Sequence, residues 1–193
     1  MKLRNLSLAA ILLTGSSLSA ATISYYAILN GASEAPPNAS AGTGFALVTF
    51  DLALHTMEVN VTFSGLTGTT TASHIHCCTA VAGTGTVGVA TVLPTFTGFP
   101  LGVTAGSYDH TFDLTLASSY NPAFITTTVS AAEAALLAGI AADKAYLNIH
   151  SSTFTGGEIR GFLVPTPEPA TLGLVGLALA GLMAFRRPRP RQA

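Results

Sequence analysis

The chain has 193 residues, a formal net charge of -1, only 9% charged residues and no tryptophan. Two apolar ends flank residues 22–165, a segment long enough to fold as one domain around a buried core. Within this segment two cations, Lys144 and Arg160, stand against eight carboxylates. An acidic domain of this kind does not attract a polyanion, which excludes nucleic-acid binding.

The N-terminal end has the three parts of a secretory signal peptide. Lys2 and Arg4 form a basic region, residues 6–13 form an apolar region, and Ser19-Ala20-Ala21 supplies the small residues that signal peptidase requires. We therefore expect residues 1–21 to be removed on export.

Residues 22–165 are predicted to form short strands between turns rich in glycine and proline. The clearest alternation lies at 56–63, where Met57, Val59 and Val61 share one face. This pattern predicts an all-β domain, an antiparallel Greek-key β-sandwich or barrel. Strands are expected at 22–29, 44–50, 56–63, 72–76, 87–93, 108–116, 146–150 and 158–164, with a glycine- and proline-rich loop at 94–106.

One short inserted helix is expected between the strands that end near 116 and begin near 146. Ser130 and Glu133 have the spacing of a capping box, and residues 134–138 favour a helix. Gly139 is predicted to be its C-cap.

Three histidines form the most specific candidate site. His74 and His76 are two residues apart in a predicted strand, so their side chains point to one side, and His150 ends another strand. If these strands are neighbours, three imidazoles can converge on one copper or zinc ion. Alternatively, the histidines hydrogen-bond to loop backbone and stabilise the rim of the barrel.

Cys77 and Cys78 follow the His-x-His pair directly. In an oxidising compartment they can remain free, join in a vicinal disulfide or pair between chains. As ligands they would add thiolates to the histidine site, and as a redox or structural pair they would not.

Three segments together carry a family resemblance. They are residues 29–37 with Gly42-Thr-Gly44, residues 63–66 with His74-Ile-His76, and Tyr146-Leu-Asn-Ile-His150 with Gly156-Gly-Glu-Ile-Arg-Gly161. This pattern resembles the CHRD domain, which was first recognised in chordin. The resemblance implies an all-β extracellular domain and no established activity. Here Cys77 stands where the family usually has glycine.

The third of these segments adds several motif residues. Asn148 shares the predicted face of His150, and Gly156 and Gly157 are expected to allow a tight turn. Glu158 and Arg160 are predicted to form a structural ion pair. The predicted fold is immunoglobulin-like or similar to that of Cu,Zn superoxide dismutase. The His-x-His strand, the distant histidine and the arginine soon after it are similar to the copper site of that enzyme, which is also a Greek-key sandwich, and this likeness is an analogy.

The C-terminal end resembles the PEP-CTERM sorting signal. Pro167, Glu168 and Pro169 precede an apolar run at 170–185, and Arg186 and Arg187 begin a basic end. The run is predicted to be a transmembrane helix with the arginines on the cytoplasmic side. The resemblance implies recognition by exosortase-type sorting machinery and delivery to the cell envelope or extracellular matrix. An ordinary tail anchor is the alternative.

These observations favour an exported binding or structural protein that associates with matrix exopolysaccharide or matrix proteins. A metal-binding protein, with or without redox activity, is the alternative. The sequence shows no nucleophile elbow and no carboxylate pair that points to an enzyme.

Overall fold

The computed structural model describes residues 22–167, and the predicted signal peptide and transmembrane helix lie outside them. The described part is an antiparallel sheet with one α-helix, which confirms the all-β prediction with an inserted helix. Its strands are β1 (Thr22–Asn30), β2 (Thr43–Asp51), β3 (Thr56–Ser64), β4 (Thr70–Cys77), β5 (Gly106–Asp113), β6 (Ala145–Ser151), β7 (Ile159–Phe162) and β8 (Val164–Pro165). The helix is α1 (Val129–Ala141), and short 3-10 turns occupy Gly31–Ser33, Ala117–Ser119 and Pro122–Phe124. None of the helices in residues 22–167 is long and apolar enough to cross a membrane.

The sheet is continuous and curls into a half-barrel. Its strand order is β4-β6-β7-β1-β2-β3-β5, and β8 pairs with β1. β1, β2 and β3 form a meander in which every residue of β2 is paired with both neighbours. The alternating apolar residues of these strands, such as Val48 and Val59, are fully buried on the concave side.

The long connection from β4 to β5 runs along the free edge of β4. The backbone N–H of Phe96 donates to Ser73, and that of Thr70 donates to Val103. Phe96 also stacks on Tyr108 of β5, with ring centroids 5.8 Å apart. The connection therefore fills the space between the two edge strands and completes the hydrophobic core.

Two predicted elements differ in the structure. Residues 87–93 are not a strand, because they make only isolated bridges, Val89 with His76 and Thr91 with Tyr120. The strand predicted to reach residue 116 ends at Asp113, where Asp113 accepts hydrogen bonds from both the backbone and the hydroxyl of Thr115. A side chain that bonds its own backbone two residues on favours a turn over a strand.

The helix begins and ends elsewhere than predicted. Thr128 is the N-cap and accepts the N–H of Ala131, so the capping box starting at Ser130 is wrong. Glu133 is instead bound to His55, with its carboxylate 2.9 Å from Nδ1. Gly139 lies inside the helix rather than at its C-cap, which is Ala142.

Candidate metal site

β4 and β6 bring the three histidines onto one face of the sheet. His74 pairs with Asn148, His76 with Tyr146, and Ala72 with His150. The residues between them, among them Ile75 and Leu147, point into the core and are fully buried. The histidine cluster (His74, His76 and His150) therefore occupies the face opposite the core.

The imidazoles of the histidine cluster converge. One nitrogen from each ring lies within 4.8 Å of the others. The ring centroids of His74 and His150 are 5.4 Å apart, and those of His74 and His76 are 5.9 Å apart. Nitrogen atoms this close can coordinate one ion after small movements, because a Zn–N bond is about 2.0–2.1 Å long.

Covering loops fix the tautomer of each ring. His74 donates from Nε2 to the Pro94 carbonyl at 2.6 Å, and His76 donates from Nδ1 to Val87 at 2.8 Å. His150 donates from Nδ1 to Thr155 at 2.9 Å. A carbonyl only accepts, so these nitrogens carry the protons and the second nitrogen of each ring keeps its lone pair.

The remaining ring nitrogens are buried and have no hydrogen-bond partner among residues 22–167. They are Nδ1 of His74, Nε2 of His76 and Nε2 of His150. Buried acceptors without a donor are uncommon in folded proteins. Three of them on neighbouring histidines are what a site for a cation requires.

Burial keeps the cluster neutral. Burial lowers the pKa of His74 to about 4, opposed by its bond to Pro94 and reinforced by the two neighbouring imidazoles. Burial likewise lowers the pKa values of His76 and His150. Neutral imidazole is the form that coordinates a metal, so the rings are in the binding state at neutral pH.

The metal-free protein is expected to lose stability as the pH falls from about 6.5 towards 4. In that interval unfolded histidines bind protons that the folded cluster, with its lowered pKa values, does not. Glu34 acts in the opposite direction, because its folded pKa of about 7 lies above its ordinary value of 4.5. Glu34 is the same in the wild type and in a His74→Gln variant, so the difference between their slopes isolates the contribution of His74. Urea titrations after chelator treatment, beside a His74→Gln variant, measure this slope. An equal slope in both proteins would contradict the assignment.

Next to the cluster, Tyr146 connects His76 to Arg160. The ring of Tyr146 stacks on His76 with centroids 4.8 Å apart and planes 6° apart. The Arg160 guanidinium lies 4.6 Å from the Tyr146 centroid. Arg160 also donates to the carbonyls of Ser33 and Gly85, so its hydrogens are directed at loop backbone.

The predicted ion pair between Glu158 and Arg160 is wrong, because Arg160 faces Glu34 instead, 3.8 Å from Nε to Oε2. Burial raises the pKa of Glu34 to about 7, against the opposing effects of Arg160 and the Ala35 N–H. Glu158 precedes β7 and turns away towards the loop before β4. Gly157 has a φ of 133°, and a Cβ there would lie 2.6 Å from Glu34 Oε1, so it must be glycine.

Glu158 holds the loop at residues 67–68. Its carboxylate accepts the backbone N–H of Thr67 and of Gly68 and the hydroxyl of Ser40, and Glu158 is fully buried. Burial by itself would raise the pKa of Glu158, but the hydrogen bonds from Ser151, Ser40 and the two amides outweigh it and lower that pKa. Glu158 is therefore a structural anion rather than a ligand.

Cys77 and Cys78 are joined in a disulfide. Cys77 lies on the core side of β4, opposite His76. Both sulfurs pack against Gly139 of α1. Bonded to each other, the cysteines offer no thiolate to the histidine cluster, and we leave them out of the proposed metal site.

Comparison with protein-family models finds two matches. A CHRD domain model matches residues 25–163, and a PEP-CTERM protein-sorting motif matches residues 165–187. No curated protein and no solved structure matches. The sorting motif identifies an exported, envelope-associated protein that exosortase-type machinery recognises. Because the CHRD model spans well over half of the sequence, the chain belongs to the CHRD domain family.

Proposed function

We propose that this exported CHRD-domain protein binds one copper or zinc ion through His74, His76 and His150. The observation that carries the proposal is the set of three buried, unpartnered ring nitrogens on neighbouring histidines. Each ring is oriented by a backbone carbonyl, and metal-binding histidines usually donate their other ring N–H to such an acceptor. Structural histidines would instead satisfy both ring nitrogens.

Binding of the ion outside the cytoplasm follows from the sorting signals. In this proposal residues 1–21 are cleaved by signal peptidase, residues 22–165 form the functional domain, and residues 166–193 direct sorting. In the same proposal the apolar run at about 170–185, which lies outside the described residues, holds the chain in the membrane until the tail is processed. A metal-binding role fits this location, because the domain meets ions that enter the envelope.

The His150→Ala variant is expected to abolish metal binding. The wild-type chain, exported and then stripped with a chelator, should take up one copper or zinc ion. Loss of one of three ligands should weaken affinity by at least about 100-fold, since even changes to the groups that orient a ligand cost roughly 10–100-fold. Affinity is measured by competition with a chromophoric chelator, and stoichiometry by elemental analysis.

The matched control is His110→Ala. His110 packs against Phe112 on β5, with centroids 4.6 Å apart, and lies outside the histidine cluster. The His110→Ala variant should bind metal like the wild type. A wild-type chain that takes up no copper or zinc would refute the proposal and leave the histidines with a purely structural role.

A second candidate function is attachment to matrix exopolysaccharide. One observation favours it, an exposed apolar patch on the outer face of β1 and β2. Ile28 is 58% exposed and Phe45 is 42% exposed, and Phe45 stacks on Tyr26 with centroids 6.1 Å apart. Aromatic rings on the outer face of the sheet suit stacking against sugars, and the nearby carboxylates Glu58 and Asp109 favour a neutral or cationic polymer over an acidic one. Co-sedimentation with chitosan, compared with a Phe45→Ser variant, tests this. Equal pelleting of both proteins would exclude the patch.

A further inference from the structure

Asn148 is a buried polar residue on the face of the proposed metal site that the three-histidine assignment does not use. It lies on β6 between Tyr146 and His150 on the face of the histidine cluster. Across the sheet it is paired with His74 of β4 on one side and with Arg160 of β7 on the other. Only 2% of Asn148 is exposed.

The carboxamide oxygen of Asn148 has no hydrogen-bond partner among residues 22–167. A buried carbonyl oxygen without a donor destabilises the folded protein. The neighbouring donors are directed elsewhere. The Tyr146 hydroxyl donates to Val87 at 3.4 Å, and Arg160 donates to Ser33 and Gly85. The three free ring nitrogens are acceptors as well, so four acceptors on one face each lack a hydrogen-bond partner among residues 22–167.

Asn148 also lies beside the histidine cluster. It is the cross-strand partner of His74, and it is two residues from His150 on the same face of β6. A cation placed among the four acceptors satisfies the carboxamide oxygen and the three free ring nitrogens together.

We infer that Asn148 Oδ1 is the fourth donor of the site, which makes it a three-nitrogen, one-oxygen site for a divalent ion. This inference rests on the proposed metal-binding function. Imidazole suits zinc and copper, and an oxygen ligand favours a divalent ion over Cu(I), which is selected by thiolate and thioether sulfur. The cysteines beside the cluster are bonded to each other and supply no thiolate. The site therefore prefers Zn(II) or Cu(II) to Cu(I).

The test compares Asn148→Leu with Asn148→Asp in the full chain. Asn148→Leu keeps the size of the side chain and removes the oxygen, so Zn(II) affinity should fall by roughly 10–100-fold. Its affinity for Cu(I), measured anaerobically, should stay near the wild-type value. Asn148→Asp replaces the amide with an anionic oxygen and should bind Zn(II) at least as tightly as wild type. Asn60→Leu, the same change on β3, is the control.

The visible spectrum of the Co(II)-loaded proteins reports the ligand directly. It should change in both Asn148 variants and stay unchanged in Asn60→Leu. An unchanged Co(II) spectrum and Zn(II) affinity in Asn148→Leu would overturn the inference while leaving the three-histidine proposal intact. That result is expected if the carboxamide turns its NH₂ group to a histidine nitrogen instead. If Asn148→Leu does not fold, an unchanged spectrum in Asn148→Asp overturns the inference equally. A wild-type chain without affinity for any of these ions would refute both proposals.

Discussion

Glu158→Gln is expected to lower the free energy of unfolding by about 1.5–3 kcal/mol, the range for hydrogen bonds to a charged group. The Glu158 carboxylate is fully buried and accepts two backbone amides and the Ser40 hydroxyl. Glutamine offers one oxygen in place of two and turns an NH₂ group towards these donors. At least one buried N–H is then left without an acceptor.

The measurement is chemical denaturation at pH 7, with Glu58→Gln as the matched control on an outward-facing position of β3. The pH dependence gives a second check. Because the folded pKa of Glu158 is below its usual value, its contribution to stability is present above the unfolded pKa and is lost as the pH falls. A Gln variant within about 1 kcal/mol of wild type, below the ordinary range for such a loss, would contradict this role for Glu158.

Gly139→Ala is expected to destabilise the protein by about 1–3 kcal/mol, the cost of overpacking a core. Helix propensity alone predicts the reverse, since alanine stabilises a helix interior by about 1 kcal/mol relative to glycine. The sign of the change in the free energy of unfolding therefore shows whether packing or helix propensity dominates at position 139. A Cβ at position 139 would collide with the sulfurs of both Cys77 and Cys78.

The control for this prediction is Gly156→Ala, where a Cβ would meet nothing within 4 Å. A double-mutant cycle with Cys77→Ala and Cys78→Ala isolates the contact, because Gly139→Ala should become harmless once the sulfurs are gone. If Gly139→Ala alone melts at a higher temperature than the wild type, α1 does not pack on the disulfide as described.

The sequence pattern predicted the strands that have one buried face. Residues 56–63 alternate strictly, and the structure pairs them on both sides as β3. Residues 87–93 are equally rich in β-branched side chains, but they cover the edge of β4 through single bridges. Composition cannot separate these two situations, because β-branched residues are common in both while the pairing partners differ.

Hydrogen-bond and ion-pair partners predicted from spacing in the sequence were least reliable where a distant residue competes for the same side chain. Glu133 fits a capping box with Ser130, yet it bonds to His55, 78 residues away in the sequence. Arg160 is paired with Glu34 from the loop after β1 rather than with Glu158. Such partners follow from the tertiary fold, which spacing does not encode.

The candidate site was predictable in part. A His-x-His pair in a strand must share a face, and the third histidine closes another strand, so convergence required only that β4 and β6 be neighbours. The carbonyls of Pro94, Val87 and Thr155, which fix the tautomers, come from loops. Every residue has a carbonyl, so nothing in the sequence marks these three.

The pairing of β8 with β1 has a mechanical consequence. β8 contacts β1 through Tyr25 with Pro165 and Tyr26 with Val164, and Thr166 donates to the Ser24 carbonyl. A force applied from the C-terminal side reaches this two-residue ladder before it reaches the nine-residue ladder between β1 and β2. Peeling residues 164–166 away releases roughly 10 Å of chain, at about 3.3–3.6 Å per residue. Under shear, a domain held at its C-terminal side can therefore extend by this length while β4 and β6, the strands that carry the histidine cluster, stay folded.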